Sequence, residues 1–250
     1  MSVTMLIITA MVFTLAGFIK GVIGLGLPTV SVGLLAVAMP PAHALAIVIV
    51  PAIITNIWQT FAGPYLRDIV RRLWPLMLGT VIGILSGAGL MTGPYARFGT
   101  IILGVLLVIY AIVGLRKVRF TVDRPHEKWI GGIVGLVTGV VSAATGVQVI
   151  PSMPFMQAIG LGKDELVQAR GVFFTTATFA LAFNLTSAGL MDASTVIPGV
   201  IAMAGSFTGM ALGQTVRSRM DANTFRQWFL IAMLLLGIYL AGIAIDKMLT

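Results

Sequence analysis

Charge is confined to short stretches of this chain, and that confinement limits its fold more than any other feature. Runs without a charged side chain cover 21–66, 73–96, 98–115, 129–162, 171–191, 193–216 and 227–245. A membrane span needs about 20 apolar residues. Of the 250 residues, 58% are hydrophobic and only 10% charged. A soluble domain carries roughly 25% charged residues. The chain therefore reads as an all-α polytopic membrane protein. The alternating apolar and polar pattern of a β-barrel is absent.

The net charge of +8 does not signal nucleic acid. The basic residues sit in short loops between spans, where the positive-inside rule places them. Arg67, Arg71 and Arg72 share one loop, and Arg116, Lys117, Arg119, Arg124 and Lys128 share another. Two spans separate these loops, so both belong on the cytoplasmic side, joined by Arg217 and Arg219. The loop 187–193 has no Lys or Arg and falls outside. Both termini are then expected in the periplasm. The first segment, MSVTMLIITAMVFTLAGF, lacks a basic start and an A-x-A site and reads as a retained membrane segment. With no cysteine, neither disulfides nor thiolate metal sites arise.

Two stretches interrupt the apolar pattern in the same way. GFIKGVIGLGLPTV (17–30) and GLVTGVVSAATGVQVIP (135–151) open with Gly-x-x-x-Gly, at Gly17/Gly21 and Gly135/Gly139. Each continues with small residues, among them Gly24 and Gly26 in the first and Gly146 in the second, and each contains a proline. In lipid an unpaired backbone group costs several kcal/mol, so a broken helix persists only where protein or a cavity covers it. Paired breaks, one per half, point to the binding site of a transporter.

The chain parses into a first repeat (1–115), a cytoplasmic linker (116–128) and a second repeat (129–250). The first repeat is a hairpin at 3–19 and 26–39 followed by spans at 43–63, 73–91 and 97–115. The second is a hairpin at 129–143 and 147–160 followed by spans at 165–186, 194–215 and 224–246. Gly79, Gly83 and Gly87 step by four in one half, and Gly205, Gly209 and Gly213 in the other. Arg97 and Tyr110 correspond to Arg226 and Tyr239. A hairpin returns to its starting side, so one hairpin plus three spans starts and ends on opposite sides. The halves are therefore expected to be inverted repeats. Hairpin arms of about 13–17 residues would be roughly 20–25 Å long and reach the membrane interior rather than cross it.

All carboxylates lie in loops or at span ends: Asp68, Asp123, Glu127, Asp164, Glu165, Asp192, Asp221 and Asp246. The charges nearest the membrane interior are basic, Lys20 in the first break and Arg170 just inside the span 165–186. A charge at membrane depth costs at least ~2.5–3.5 kcal/mol, so both are candidates for binding an anion. The structural alternatives are snorkelling to the interface and, for Arg170, a bridge to Asp164 or Glu165. Neutral polar residues accompany them: Thr138, Ser142, Thr145 and Gln148 at the second break, Thr175, Thr176 and Thr178 after Arg170, and Asn56 and Gln59 in the first half. Such groups bind ligand or brace helices at about 0.6 kcal/mol each. The candidate substrate-binding set is Arg170, Lys20, Asn56, Gln59, Thr145, Gln148, Thr175, Gly24, Gly26 and Gly146. His43 reads as an interface residue, and neither H-E-x-x-H nor G-x-S-x-G occurs, so no catalytic or metal site and no cofactor is expected.

These motifs resemble the TauE/SafE sulfite exporter family of bacterial inner-membrane permeases. GFIKGVIGLGLPTV at 17–30 carries the resemblance, with GLVTGVVSAATGVQVIP at 135–151 as the weaker copy. The likeness extends over nearly the whole chain. It implies export of sulfite, organosulfonates or related small anions. The partners expected are a small anionic substrate and the lipid bilayer; a homodimer is left open. The alternative function is a non-transporting scaffold subunit whose breaks pack against a partner.

Overall fold

The computed structural model describes the chain apart from residues 1, 25, 92–97, 117–120, 193–194, 218–221 and 250, with the side chains of 222–223 and 247–249 also outside the description. Arg97, Lys117, Arg119, Arg219 and Asp221, which figured in the sequence reading, lie outside the described residues.

The described residues form α-helices and no strand. In order they are α1 (Val3–Ile23), α2 (Leu27–Leu35), α3 (Pro41–Thr60), α4 (Leu66–Ser86), α5 (Gly99–Leu115), α6 (Glu127–Thr145), α7 (Ser152–Ala158), α8 (Lys163–Ser187), α9 (Val196–Arg217) and α10 (Ala222–Leu249). Among the described residues, seven helices are long and apolar enough to cross a membrane, and α5 is a shorter apolar helix. The outward surface is itself apolar. Trp58, Trp129, Phe183, Trp228 and Leu235 are more than half exposed, which suits lipid and not water. The protein is a multi-pass helical membrane protein.

The hairpin arms differ from the expected lengths. α1 has 21 residues and α6 has 19, each enough to cross, whereas α2 has 9 and α7 has 7. Gly17 and Gly21 do not stop α1, because they lie inside it and pack on α9. The helix stops at Gly24, whose φ of 81° is left-handed and whose N–H donates to the Lys20 carbonyl at 2.7 Å. Glycine reaches that conformation without steric cost. α6 stops in the same way at Gly146, φ 75°, with its N–H donating to Ser142 O at 2.7 Å.

Small residues let the two halves interlock. α1 lies against α9 and α4 against α6, while α3 pairs with α8 and α5 with α10. A Cβ added to Gly17 would strike the Ser206 carbonyl, and one on Gly139 would strike that of Thr80. Gly209 faces the Thr14 carbonyl as Gly79 faces that of Gly132, and Gly213 faces Phe18 O as Gly83 faces Leu136 O. These seam contacts pair Gly17 with Gly135 and Gly21 with Gly139, as the motifs suggest: Gly21 meets Gly213 as Gly139 meets Gly83. The helix ends fall one turn off that register, at Gly24 and Gly146, so that counted back from its end glycine Lys20 corresponds to Ser142. The other proposed correspondence is unequal: Tyr110 packs edge-on against Phe229 at 6.3 Å, whereas Tyr239 is half exposed.

Candidate functional site

The two breaks converge on the α3–α8 pair. At the first, left-handed Gly24 and Gly26 (φ 104°) bracket a turn, and Pro28 sits in the first turn of α2, where a missing N–H costs nothing. At the second, residues 147–149 follow Gly146 without regular structure and lead through a cis Ile150–Pro151 bond into α7. Lys20, Gly24, Gly26, Asn56, Gln59 and Gln148 line one crevice between them, closed on its apolar side by Leu27 and Phe174. The crevice is narrow, with room for about one water molecule.

Lys20 occupies the polar wall. Its side chain is buried, and its Nζ donates to Thr55 Oγ1 at 2.9 Å and to Asn56 Oδ1 at 2.7 Å. Thr55 is itself committed as a donor to the Pro51 carbonyl at 2.8 Å, so it serves Lys20 as an acceptor. Asn56 Nδ2 reaches Thr178 Oγ1 at 3.5 Å, and Gln148 Nε2 reaches the same oxygen at 3.4 Å. Lys20, Asn56, Thr178 and Gln148 thus form one chain of polar contacts from the first break to the second. Lys20 has no carboxylate partner among the described residues. Its Nζ is held inside the helix bundle by Thr55 and Asn56 and does not extend to the surface.

Among the described residues four buried polar atoms lack a hydrogen-bond partner: Ser31 Oγ, Ser206 Oγ, Gln148 Oε1 and Arg170 Nε. A half-turn of the Gln148 amide would let Thr178 donate to Oε1 and leave Nε2 as a free donor. Arg170 does not line the crevice. It precedes Thr178 by eight residues on α8, about 12 Å along the axis. Its guanidinium lies against Gly24, with Nη1 3.9 Å from where a Cβ would stand. Tyr110, Arg217 and Arg226 lie within electrostatic reach. Arg170 makes no bond to Asp164 or Glu165; the Glu165 carboxylate instead accepts from Gly162 N–H at 3.3 Å, capping α8.

Several residues expected at the site brace helices instead. Thr145 donates to Val141 O at 2.7 Å and accepts from Val147 N–H. Thr175 meets Thr60 at 3.0 Å. Gly146 turns toward Leu45. Gln59, though on the crevice wall, donates to Val167 O at 2.9 Å. Thr138 and Ser142 donate to carbonyls one turn back, and His43 is exposed. The sequence reading passed over Thr55 and Phe174. The signal for Thr55 was its place beside Asn56, one step along the same helix.

Long apolar helices, two of them broken, define the class: a multi-pass helical membrane protein with cationic and amide groups at the breaks. The particular family follows from its sequence. The family model described as Sulfite exporter TauE/SafE matches residues 9–240, and the chain belongs to that family. No curated protein and no solved structure matches it.

Proposed function

We propose that the protein is a secondary carrier that exports a small sulfur-containing or organic anion, sulfite or a sulfonate among them, across the bacterial inner membrane. The observation that carries the reading is Lys20, buried at the first break with two neutral partners and no counter-charge. The bound anion would take the third Nζ proton and the Nε2 donor that the turned Gln148 amide frees. Membership of an exporter family supports the direction and the substrate class.

The crevice holds about one water molecule, so the anion enters only after the α3–α8 seam and the breaks move apart. Arg170, against Gly24, would meet the anion before Lys20 does. Its planar fork can hold two oxygens at once. The chain has no G-x-x-x-x-G-K-[ST] motif, so a gradient supplies the energy. Expelling one negative charge from a negative interior gains about 2.3 kcal/mol per 100 mV.

Reconstitution into liposomes tests the reading. Saturable flux of sulfite, thiosulfate or methanesulfonate is expected, and no flux of any of the three would sink it. The proposed orientation has the linker in the cytoplasm and both termini in the periplasm, with the halves inverted. Ser2→Cys should react with an impermeant thiol reagent in intact cells and Thr121→Cys should not; the reverse pattern overturns the orientation.

A further inference from the structure

Lys20 makes two hydrogen bonds, and an ammonium has three protons to give. The two acceptors, Thr55 Oγ1 and Asn56 Oδ1, are neutral. With no anion present an ammonium would find no third acceptor on the protein and no counter-charge among the described residues. A neutral amine donates two hydrogen bonds, which is the number the site provides. An anion entering the crevice supplies both missing things, a third acceptor and a counter-charge.

The surroundings offer no substitute. α3 presents Thr55 and Asn56, α8 presents Thr178 and Phe174, and the second break presents Gln148. α2 brings Leu27, Pro28 and Thr29 to the crevice. On the adjoining face of α1, α9 packs Ser206 and Met210 against Gly17 and Gly21. From α10, Phe229 lies against Gly26. Arg170 lies beside Gly24, and Arg217 and Arg226 lie within its electrostatic reach; all three are positive, so none can serve as the counter-charge of a Lys20 ammonium. No carboxylate bonds to Lys20 among the described residues.

We propose that Lys20 is the coupling group of the carrier: it takes up a proton when the anion binds and gives it back when the anion leaves, so that one proton travels with each anion. The inference rests on the anion-carrier reading above. The step balances simply. The amine lone pair accepts a proton from the water on the loading side, the ammonium pairs with the anion, and on the far side the anion departs and the proton returns to water. The empty carrier resets with a neutral amine. The net charge moved is one unit less negative than that of the anion. A dianion still gains from the membrane potential, and a monoanion moves without responding to it.

The test uses the full-length protein in liposomes containing a pH dye. Thiosulfate and methanesulfonate are the probes, because their own charge does not change near neutral pH. An inward anion gradient should acidify the lumen by about one proton per anion, and flux of methanesulfonate should not change when the membrane potential is clamped at different values. Lys20→Arg keeps the cation but cannot release it, so its residual anion flux should carry no proton and respond to potential. Lys20→Gln should also lose the proton flux. Wild-type flux of either anion with no accompanying proton overturns the proposal while leaving the carrier reading intact. Proton movement that persists in Lys20→Gln overturns the assignment to Lys20. Absence of any flux, sulfite included, overturns the carrier reading itself and the proposal with it.

Discussion

The two helix breaks share a plan and differ in charge. α1 and α6 both end at a left-handed glycine whose N–H closes on the carbonyl four residues back, Gly24 on Lys20 and Gly146 on Ser142. At that matched position the first break carries an ammonium group and the second a hydroxyl. Ser142 turns inward and donates to Thr138 O and Val147 O, so it ties its own break together. Lys20 reaches across to α3 instead. The second break compensates with Gln148, which meets the same polar chain at Thr178. One architecture thus supports two chemistries: a repeated backbone and a single charge. On the proposed function, an anion between two cationic breaks would be held twice over and release would suffer; one charge and one amide would bind it and still let it go.

The strongest way to break the comparison is to attack the packing that both breaks depend on. Gly83→Leu and Gly209→Leu each drive a side chain into a backbone carbonyl, that of Leu136 or Thr14. Neither variant should give folded protein in detergent. Even the alanine forms should lose about 1–3 kcal/mol, as overpacked cores do, and melt earlier. Gly132→Ala has open space around its Cβ and should melt like wild type. If only one of the Gly83 and Gly209 variants fails, the two seams are not equivalent.

The next test sets Lys20 against Ser142. A hydrogen bond to a charged group is worth about 1.5–3 kcal/mol, so Lys20→Gln should cut anion binding about 10- to 100-fold, read as the concentration for half-maximal flux. Ser142→Ala removes only internal ties of the second break and should change anion affinity less than about threefold, while lowering the melting temperature. Equal losses of affinity would mean that the breaks contribute equally and that the single charge is incidental.

Arg170 sharpens the comparison from outside the crevice. Arg170→Gln should raise the anion concentration needed for half-maximal flux by about tenfold with the maximal rate kept, since one charge-assisted contact is lost. Arg170→Lys should restore part of it, because a point charge cannot reproduce the two-pronged fork. Unchanged flux in Arg170→Gln would assign it to the fold alone. A smaller loss, about three- to tenfold, is expected of Gln148→Ala, from one neutral hydrogen bond. A loss as large as that of Lys20→Gln would give the second break the leading role.

Much of this was legible in the residues, and the limits are instructive. Membrane residence followed from where charge is missing. The breaks showed as glycine clusters because few other residues tolerate a left-handed turn at a helix end. Lys20, Asn56 and Gln148 stood out as polar groups in apolar runs. Gly135 and Gly139 read as partners of Gly17 and Gly21, and the seam contacts follow the same pairing: Gly17 meets Ser206 O as Gly135 meets Leu76 O, and Gly21 meets Gly213 as Gly139 meets Gly83. Where each helix stops did not show, since a Gly-x-x-x-Gly pattern looks alike when shifted by four. The hairpin arms were cut short for a related reason: a glycine inside α1 is indistinguishable in sequence from one that ends it, and only packing on α9 keeps the helix going.

The sequence by itself determined that the chain is helical, lies in lipid, breaks two helices and brings basic groups into its apolar segments. Those properties come from local composition, which each segment carries alone. Only the tertiary structure decided which polar residues share a crevice. Thr145, Thr175 and Gln148 looked alike as polar residues near a break or a basic span. Folding turned Thr145 to its own helix, Thr175 to Thr60, and Gln148 to the chain that begins at Lys20. Helical rotation and the angle at which α3 crosses α8 choose among them, and both are properties of packed neighbours that no single segment contains.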